Sequence, residues 1–406
     1  MFSLYKHQSA GKKYSMDISI YFEPLELPEF DFEESTKSLR LGDLVRSYIE
    51  KEHFPDLEGV DIALLGVQED RKAKNNEGCA HAPDYIRNYF YRLFKGDFNP
   101  KIADLGNLKR GHKPEDTYFA LMSVVSELMK NDIVPVILGG SQDLTYANYR
   151  AYESLGKVIN IVSVDSVFDL GKAEQEMNSH SYLSKIILHQ PNFLFNYTNI
   201  GFQSYFVDPD ATSLMNDLYF DVYRLGKVRG NLPETEPLMR NADMVTVDVS
   251  AVRQSDAPGN GNASPNGFYG EEICQLIRYA GLSEKISSIG FYETNPKYDN
   301  NNQTSHLVAQ MIWFFVEGFY SRKKDHPYKD IENYIKYTVS IKDHNDELVF
   351  YKSKTSDRWW MDVPVKANNK NIYERHHLVP CSYSDYETAC NDDIPDRWWL
   401  AYQKLM

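Results

Sequence analysis

The stretch Ile159-Asn160-Ile161-Val162-Ser163-Val164-Asp165-Ser166-Val167-Phe168-Asp169 decides how this chain is read. Its first half is short, mostly apolar and rich in β-branched residues, which suits a strand buried on both faces. It then stops at Asp165, and a second carboxylate, Asp169, follows. The same grammar recurs outward in both directions. Ile62-Ala63-Leu64-Leu65-Gly66, Ile102-Ala103-Asp104-Leu105-Gly106 and Val134-Pro135-Val136-Ile137-Leu138-Gly139 precede it. Asn199-Ile200-Gly201, Met244-Val245-Thr246-Val247-Asp248 and Ile286-Ser287-Ser288-Ile289-Gly290 follow it. Amphipathic stretches separate many of these runs: Pro83 to Leu93, Pro114 to Lys130, Gly270 to Ala280 and Thr304 to Tyr320. Alternation at this spacing predicts an α/β fold, a mostly parallel sheet between two layers of helices. Ligands on such a sheet gather at the C-terminal strand ends. Gly139 to Asp143, Asp165 to Asp169 and Asp248 to Ser250 all fall there.

The flanks differ from this centre. Residues 1–58 are a polar, acidic lead-in, with an extended arm at Phe22 to Pro28 and a helix-like segment at Leu41 to Lys51. Residues 59–324 carry the alternation. Residues 325–406 form a C-terminal extension. In it, Tyr337 to Ile341 and Glu347 to Tyr351, joined by Lys342 to Asp346, read as a β-hairpin. The extension also repeats a tetrapeptide: Asp357-Arg358-Trp359-Trp360 returns as Asp396-Arg397-Trp398-Trp399. Exposed tryptophan is costly, so these residues are expected to pin the tail to the main domain. The sharper alternative is a docking surface for a protein partner, since Trp and Arg dominate interface hot spots.

Composition narrows the function classes. The formal net charge of −14 argues against a nucleic-acid partner, because phosphate backbones need a basic face. The four cysteines, Cys79, Cys274, Cys381 and Cys390, make no CxxC and no paired framework, which fits a reducing compartment. Met1 to Lys6 lacks the apolar run of a signal peptide, so the cytoplasm is the default expectation. Leu307 to Tyr320 is too short to span a bilayer and contains Glu317, so it reads as a core helix.

Several landmarks, in order, resemble the ureohydrolases: arginase, agmatinase and, nearest in flavour, formimidoylglutamase. Gly78-Cys79-Ala80-His81-Ala82-Pro83-Asp84-Tyr85-Ile86-Arg87 is similar to the family's Gly-x-x-x-Gly-Pro-x-x-x-Arg helix start. Asp104-Leu105-Gly106 is similar to its next strand end, and Gly139-Gly140 to the opening of its first metal motif. Ala257-Pro258-Gly259 and Glu293-Thr294-Asn295-Pro296-Lys297-Tyr298-Asp299 continue the series, so the resemblance spans about residues 60 to 322. It implies the three-layer α/β/α arginase-like fold. It also implies a chemistry in which two Mn²⁺ ions share a bridging hydroxide that attacks a guanidino or formimino carbon. Such ions lower the pKa of water enough to make hydroxide near neutral pH.

The resemblance assigns ligands unevenly. Asp165, Asp169 and Asp248 match carboxylates that hold the ions, whereas Gln142 and Val167 stand where histidines belong and Ser250 where an aspartate belongs. One ion position keeps its carboxylates and exchanges His for the Gln142 amide. The other loses both ligands it does not share. Arg253 replaces a further family aspartate and is expected near the vacated position, where it can neutralise the aspartates or pair with Glu293. His180 resembles the family's proton-shuttling histidine, and Glu293 the carboxylate that receives a cationic substrate group.

Three close carboxylates demand a compensating charge. Either one divalent cation (Mn²⁺, Mg²⁺ or Ca²⁺) or a protein cation supplies it, and an intact binuclear Mn centre is not expected. The expectation is therefore a catalytically impaired or inactive homologue that serves binding or scaffolding. The alternative is an active metal-dependent hydrolase of C–N bonds in formimidoylglutamate, arginine or agmatine-like substrates. A protein partner on the C-terminal extension and a homo-oligomer stay open.

Overall fold

The computed structural model describes residues 16–26, 39–172, 175–327, 331–341, 347–366 and 373–406. Ten strands form the central sheet. They are β1 (Phe22–Glu23), β2 (Arg46–Ser47), β3 (Ile62–Val67), β4 (Ile102–Leu108) and β5 (Val134–Leu138). They continue with β6 (Ile159–Val164), β7 (Leu194–Phe202), β8 (Asp221–Arg224), β9 (Met244–Asp248) and β10 (Ser288–Tyr292). The order across the sheet is β1-β4-β3-β5-β10-β9-β6-β7-β8, with β2 also beside β4. Every pairing is parallel except that of β1 with β4. Every residue of β3, β4, β5, β6, β9 and β10 is buried, as suits their mostly apolar sequences.

Helices cover both faces. Ala82–Phe90, Gly270–Gly281 and Gln303–Tyr320 pack together on one side. Pro114–Lys130 and Leu144–Glu153 pack on the other. The Pro114 helix starts where its sequence says it should: proline takes the first turn, and the Lys113 N–H donates to Asp116 Oδ2 at 2.9 Å. No helix among the described residues is long and apolar enough to cross a membrane.

Two expectations for the lead-in need correction. The Leu41–Lys51 segment is helical only over Leu41–Leu44. Beyond β-branched Val45 the backbone extends and pairs in parallel with Ala103 and Asp104 of β4. Phe22 and Glu23 are an arm in part, but they add an antiparallel strand to the sheet edge, and Phe22 is buried against Phe54. Sheet pairing outweighs a weak local helix preference. Leu27 and Pro28 of the expected arm lie outside the described residues.

The C-terminal extension builds a second, antiparallel sheet. Its strands are β11 (Tyr334–Ser340), β12 (Glu347–Ser353), β13 (Trp359–Asp362) and β14 (Leu378–Cys381), adjacent in that order. β11 and β12 pair as the hairpin reading requires, with Tyr337 opposite Phe350; the joining residues 342–346 lie outside the described ones. Helices Tyr383–Cys390 and Asp396–Leu405 close the chain.

The repeated tetrapeptide is not a structural repeat. One copy leads into strand β13, and the other opens the last helix. Trp359, Trp360 and Trp398 are buried, and only Trp399 is exposed, at 47%. The candidate docking surface therefore shrinks to Trp399, because the other three rings are core. Trp360 lies under the Arg240 guanidinium at 4.3 Å, and Arg240 also donates to the Trp359 and Cys381 carbonyls. The tail is thus held to the main domain by a buried arginine as well as by apolar area.

Candidate metal centre

The site forms where β5, β6, β9 and β10 end. After β5 the chain turns through Gly139 and Gly140, at φ of 75° and 78°. A Cβ on Gly140 would stand 2.8 Å from the Glu69 carbonyl oxygen, so only glycine fits. The turn delivers Gln142, which is fully buried. Its side-chain nitrogen donates to Thr246 Oγ1 at 2.9 Å and to the Tyr182 hydroxyl at 3.3 Å. Its carbonyl oxygen, Oε1, has no hydrogen-bond partner.

β6 and β9 end in the same local device. Asp165 Oδ1 accepts the Val167 N–H at 3.0 Å, and Asp248 Oδ1 accepts the Ser250 N–H at 2.7 Å. Each aspartate caps its own strand end with one oxygen and keeps the other for the space beyond. Asp169 closes the turn after β6 at a φ of 52°, a left-handed conformation that aspartate tolerates.

Oxygens of Asp165, Asp169 and Asp248 come within 4.8 Å of one another. Asp165 Oδ2 and both oxygens of Asp169 are buried without a hydrogen-bond partner. Burial, then the neighbouring Asp248, raises the Asp165 carboxyl well above the usual range. Burial, then Asp165 and Asp248, does the same to Asp169. Burial pushes Asp248 up to about 6. Orphaned carboxylate oxygens gathered in this way form a hard donor set that fits Mg²⁺, Ca²⁺ or Mn²⁺.

Arg253 does not supply the missing charge, contrary to the sequence reading. Its guanidinium pairs with Asp256 at 2.9 Å and lies over the Tyr269 ring at 3.9 Å. It meets neither the aspartates nor Glu293, because the loop it starts folds toward the Gly270–Gly281 helix, where the Gly270 N–H also binds Asp256. The salt-bridged alternative therefore loses its cation.

Glu293 is 2% exposed and tightly bound. Oε1 accepts the Gln142 N–H and Oε2 the Asn76 amide, each at 2.7 Å. Its φ of 65° is strained for glutamate. Asn76 and Asn260 also hold its carbonyl oxygen. Burial, then Asp248, raises its carboxyl well above the usual range. Outside the cavity lining, it acts here as a strut for the Gln142 turn.

A cavity of about 440 Å³ opens onto the aspartates. Asp169 and Asp248 line it, and so do Val167 and Ser250, two of the three positions the sequence reading took as exchanged ligands. His180 stands at its exposed rim, near the Asn262 amide at 3.4 Å. Burial of its ring, then Lys74, lowers its pKa and keeps it neutral. The opposite wall is Phe206, Val207, Asp208 and Ala211, from the turn and helix after β7. Sequence reading missed this wall and missed Asn262. Neither carries a motif, and both reach the site through long-range packing.

Comparison with known proteins agrees with this architecture. The arginase family matches residues 60–316. A formimidoylglutamase of Staphylococcus haemolyticus is 26% identical over 267 residues, 63% of this chain and 85% of its own length. One from Staphylococcus aureus is 25% identical over 282 residues, 67% of this chain and 89% of its own. Among solved structures, formimidoylglutamase from Bacillus subtilis superposes with a TM-score of 0.64 at 18% identity, covering 73% of this chain and 98% of that one. The Trypanosoma cruzi formiminoglutamase solved with Mn²⁺ gives a TM-score of 0.62 at 19% identity, covering 70% and 99%. With the sheet order, the glycine turn and the carboxylates at the strand ends all in place, this chain belongs to the arginase family, the ureohydrolases.

Proposed function

We propose that this formimidoylglutamase-like protein holds one divalent cation, lacks the two-ion hydrolytic centre, and serves as a binding protein rather than an efficient hydrolase. The observation that carries this reading is the buried trio Asp165, Asp169 and Asp248, in which Asp165 Oδ2 and both Asp169 oxygens are orphaned, and to which no lysine or arginine among the described residues pairs. A cation there neutralises the carboxylates, and Gln142 Oε1 is the available neutral ligand. A second ion would need donors where Val167 and Ser250 stand. Valine has none, and a neutral hydroxyl is a weak substitute for carboxylate. In relatives with two ions, the metals supply a hydroxide at neutral pH. The residues of this chain have a narrower role, holding and orienting charge at the floor of a cavity.

Retained hydrolysis is the second reading, and His180 favours it, since a neutral imidazole on the cavity rim can accept a proton. One experiment separates the two. Elemental analysis and calorimetric titration with Mn²⁺, Mg²⁺ and Ca²⁺ are expected to give one cation per chain. Assays on N-formimidoyl-glutamate, arginine, agmatine and guanidinobutyrate with Mn²⁺ are expected to give no turnover. Two Mn²⁺ per chain with release of formamide or urea overturns the proposal.

A further inference from the structure

We infer that two copies of this chain pair through the free edge of the second sheet, strand β11 of one against β11 of the other. β11 is an end strand, bonded to β12 on one side only. Among the described residues, none outside β12 bonds the backbone of Ile335 to Ser340. The outer N–H and C=O groups thus form a row that another strand can match along its length. The other sheet edges are protected. β1 and β2 are two residues each. β8 is four, bounded by Asp221 and Arg224, with Lys404 Nζ 3.5 Å from Asp221. β14 packs against the last helix and the Glu236–Arg240 helix. β11 runs for seven residues without proline or bulge, and Lys336 is its one charge.

The apolar layer of this sheet is also unfinished at that edge. Ile335, Tyr337 and Val339 share a face with their β12 neighbours Lys352, Phe350 and Leu348. Phe350 and Leu348 are core, yet Ile335 is 42% exposed, and Tyr337 and Val339 are half-buried. Self-complementarity selects a second copy as the occupant. With the two strands antiparallel about a two-fold axis through Tyr337, all seven residues of β11 pair. Ile335 then meets the partner's Val339, Lys336 meets the partner's Thr338, and Tyr337 meets its own counterpart. Residues opposed in this way project to one face, so the apolar row runs on from one copy into the other. Moving the axis to Lys336 would oppose two like charges, and moving it to Thr338 would pair fewer residues.

The test is sedimentation equilibrium of the full chain, at moderate salt because each copy carries a formal charge of −14. A reversible monomer–dimer exchange is expected. Thr338 is exposed, so its side chain can be changed to probe the register. Thr338→Lys sets a lysine against the partner's Lys336 on both sides of the axis, and is expected to weaken the dimer about threefold to tenfold. Thr338→Glu sets a carboxylate there and is expected to tighten it by a similar factor, a gain that misfolding cannot imitate. A monomer at every concentration overturns the inference and leaves the edge to a strand of another protein. A dimer that the two variants leave unchanged, or shift in the same direction, overturns it as well, since the contact then lies elsewhere on the surface.

Discussion

Strand β9 is bracketed by two buried aspartates with opposite company. Asp243 precedes it and Asp248 ends it, and they are 1% and 6% exposed. Asp243 receives the Arg375 guanidinium at 2.7 Å, the Asn160 N–H at 2.9 Å and Lys285 Nζ at 3.8 Å. Burial alone would raise its pKa, but Lys285 and Arg375 bring it below the usual range. Asp248 has two further carboxylates for neighbours and no cation to offset its burial, which pushes its pKa up to about 6. Burial is shared; the partners differ. For Asp243 the fold supplies cations from its own chain, one of them from the C-terminal extension. The trio of Asp165, Asp169 and Asp248 has no such partner, and this is what supports the proposed cation.

The contrast can be broken hardest at its paired end. Asp243→Ala strands Lys285, Arg375 and the Asn160 N–H, and is expected to cost about 3–5 kcal/mol in urea unfolding. A loss below about 1 kcal/mol would mean that the pairing is incidental.

Opposite pH dependences come next. The Asp248 pKa is raised in the folded state, so its contribution favours folding at low pH and declines as pH rises from 3.8 to about 6. The loss in that window is on the order of 3 kcal/mol in metal-free protein. The Asp243 pKa is lowered, so its contribution is present above the unfolded value and is lost as pH falls through the folded one. Removing Asp248 (Asp248→Asn) should flatten the first window in a pH series of melting curves. Saturating Mg²⁺ should also remove it, because a cation-bound carboxylate stays ionised. An unchanged profile in both cases would remove Asp248 as its source.

Asp165→Asn sharpens the comparison by reversing the sign of Asp243→Ala. Deleting one of three uncompensated charges is expected to stabilise the metal-free protein by about 1–3 kcal/mol. It should abolish divalent-cation binding as well. Destabilisation of the metal-free form would show that the trio is already compensated. The smallest effect belongs to Arg253→Ala. Its pair with Asp256 is partly exposed, so at most about 1 kcal/mol is expected, with cation affinity unchanged. A large gain in cation affinity would instead make Arg253 the internal counter-ion.

Much of the site was legible because strand ends are local. An apolar run must stop somewhere, and Asp165 and Asp248 each stop one by capping it with their own side chain. Gly139-Gly140 marks a turn that a side chain would obstruct. The cavity wall at Phe206 to Ala211 was not legible, since nothing in those residues says that they return to face β6 and β9. Nor was the sealing of Glu293, which depends on Asn76, more than two hundred residues away. The two Asp-Arg-Trp-Trp copies mark the limit most plainly. Arg358 pairs with Glu236 at 3.1 Å beside a strand, and Arg397 pairs with Asp385 from a helix.

By itself, then, the sequence determined the strand–helix order and the carboxylates at the sheet's C-terminal ends. These follow from hydrophobic period, backbone turn chemistry and residue identity, which are properties of neighbours in the chain. Only the tertiary structure decided which charges find each other. It sent Arg253 to Asp256 and Tyr269, gave Asp243 its cations, and left Asp165, Asp169 and Asp248 with none. The physical reason is that a buried charge is settled by whatever the packing brings within a few ångströms, and that is set by the whole fold.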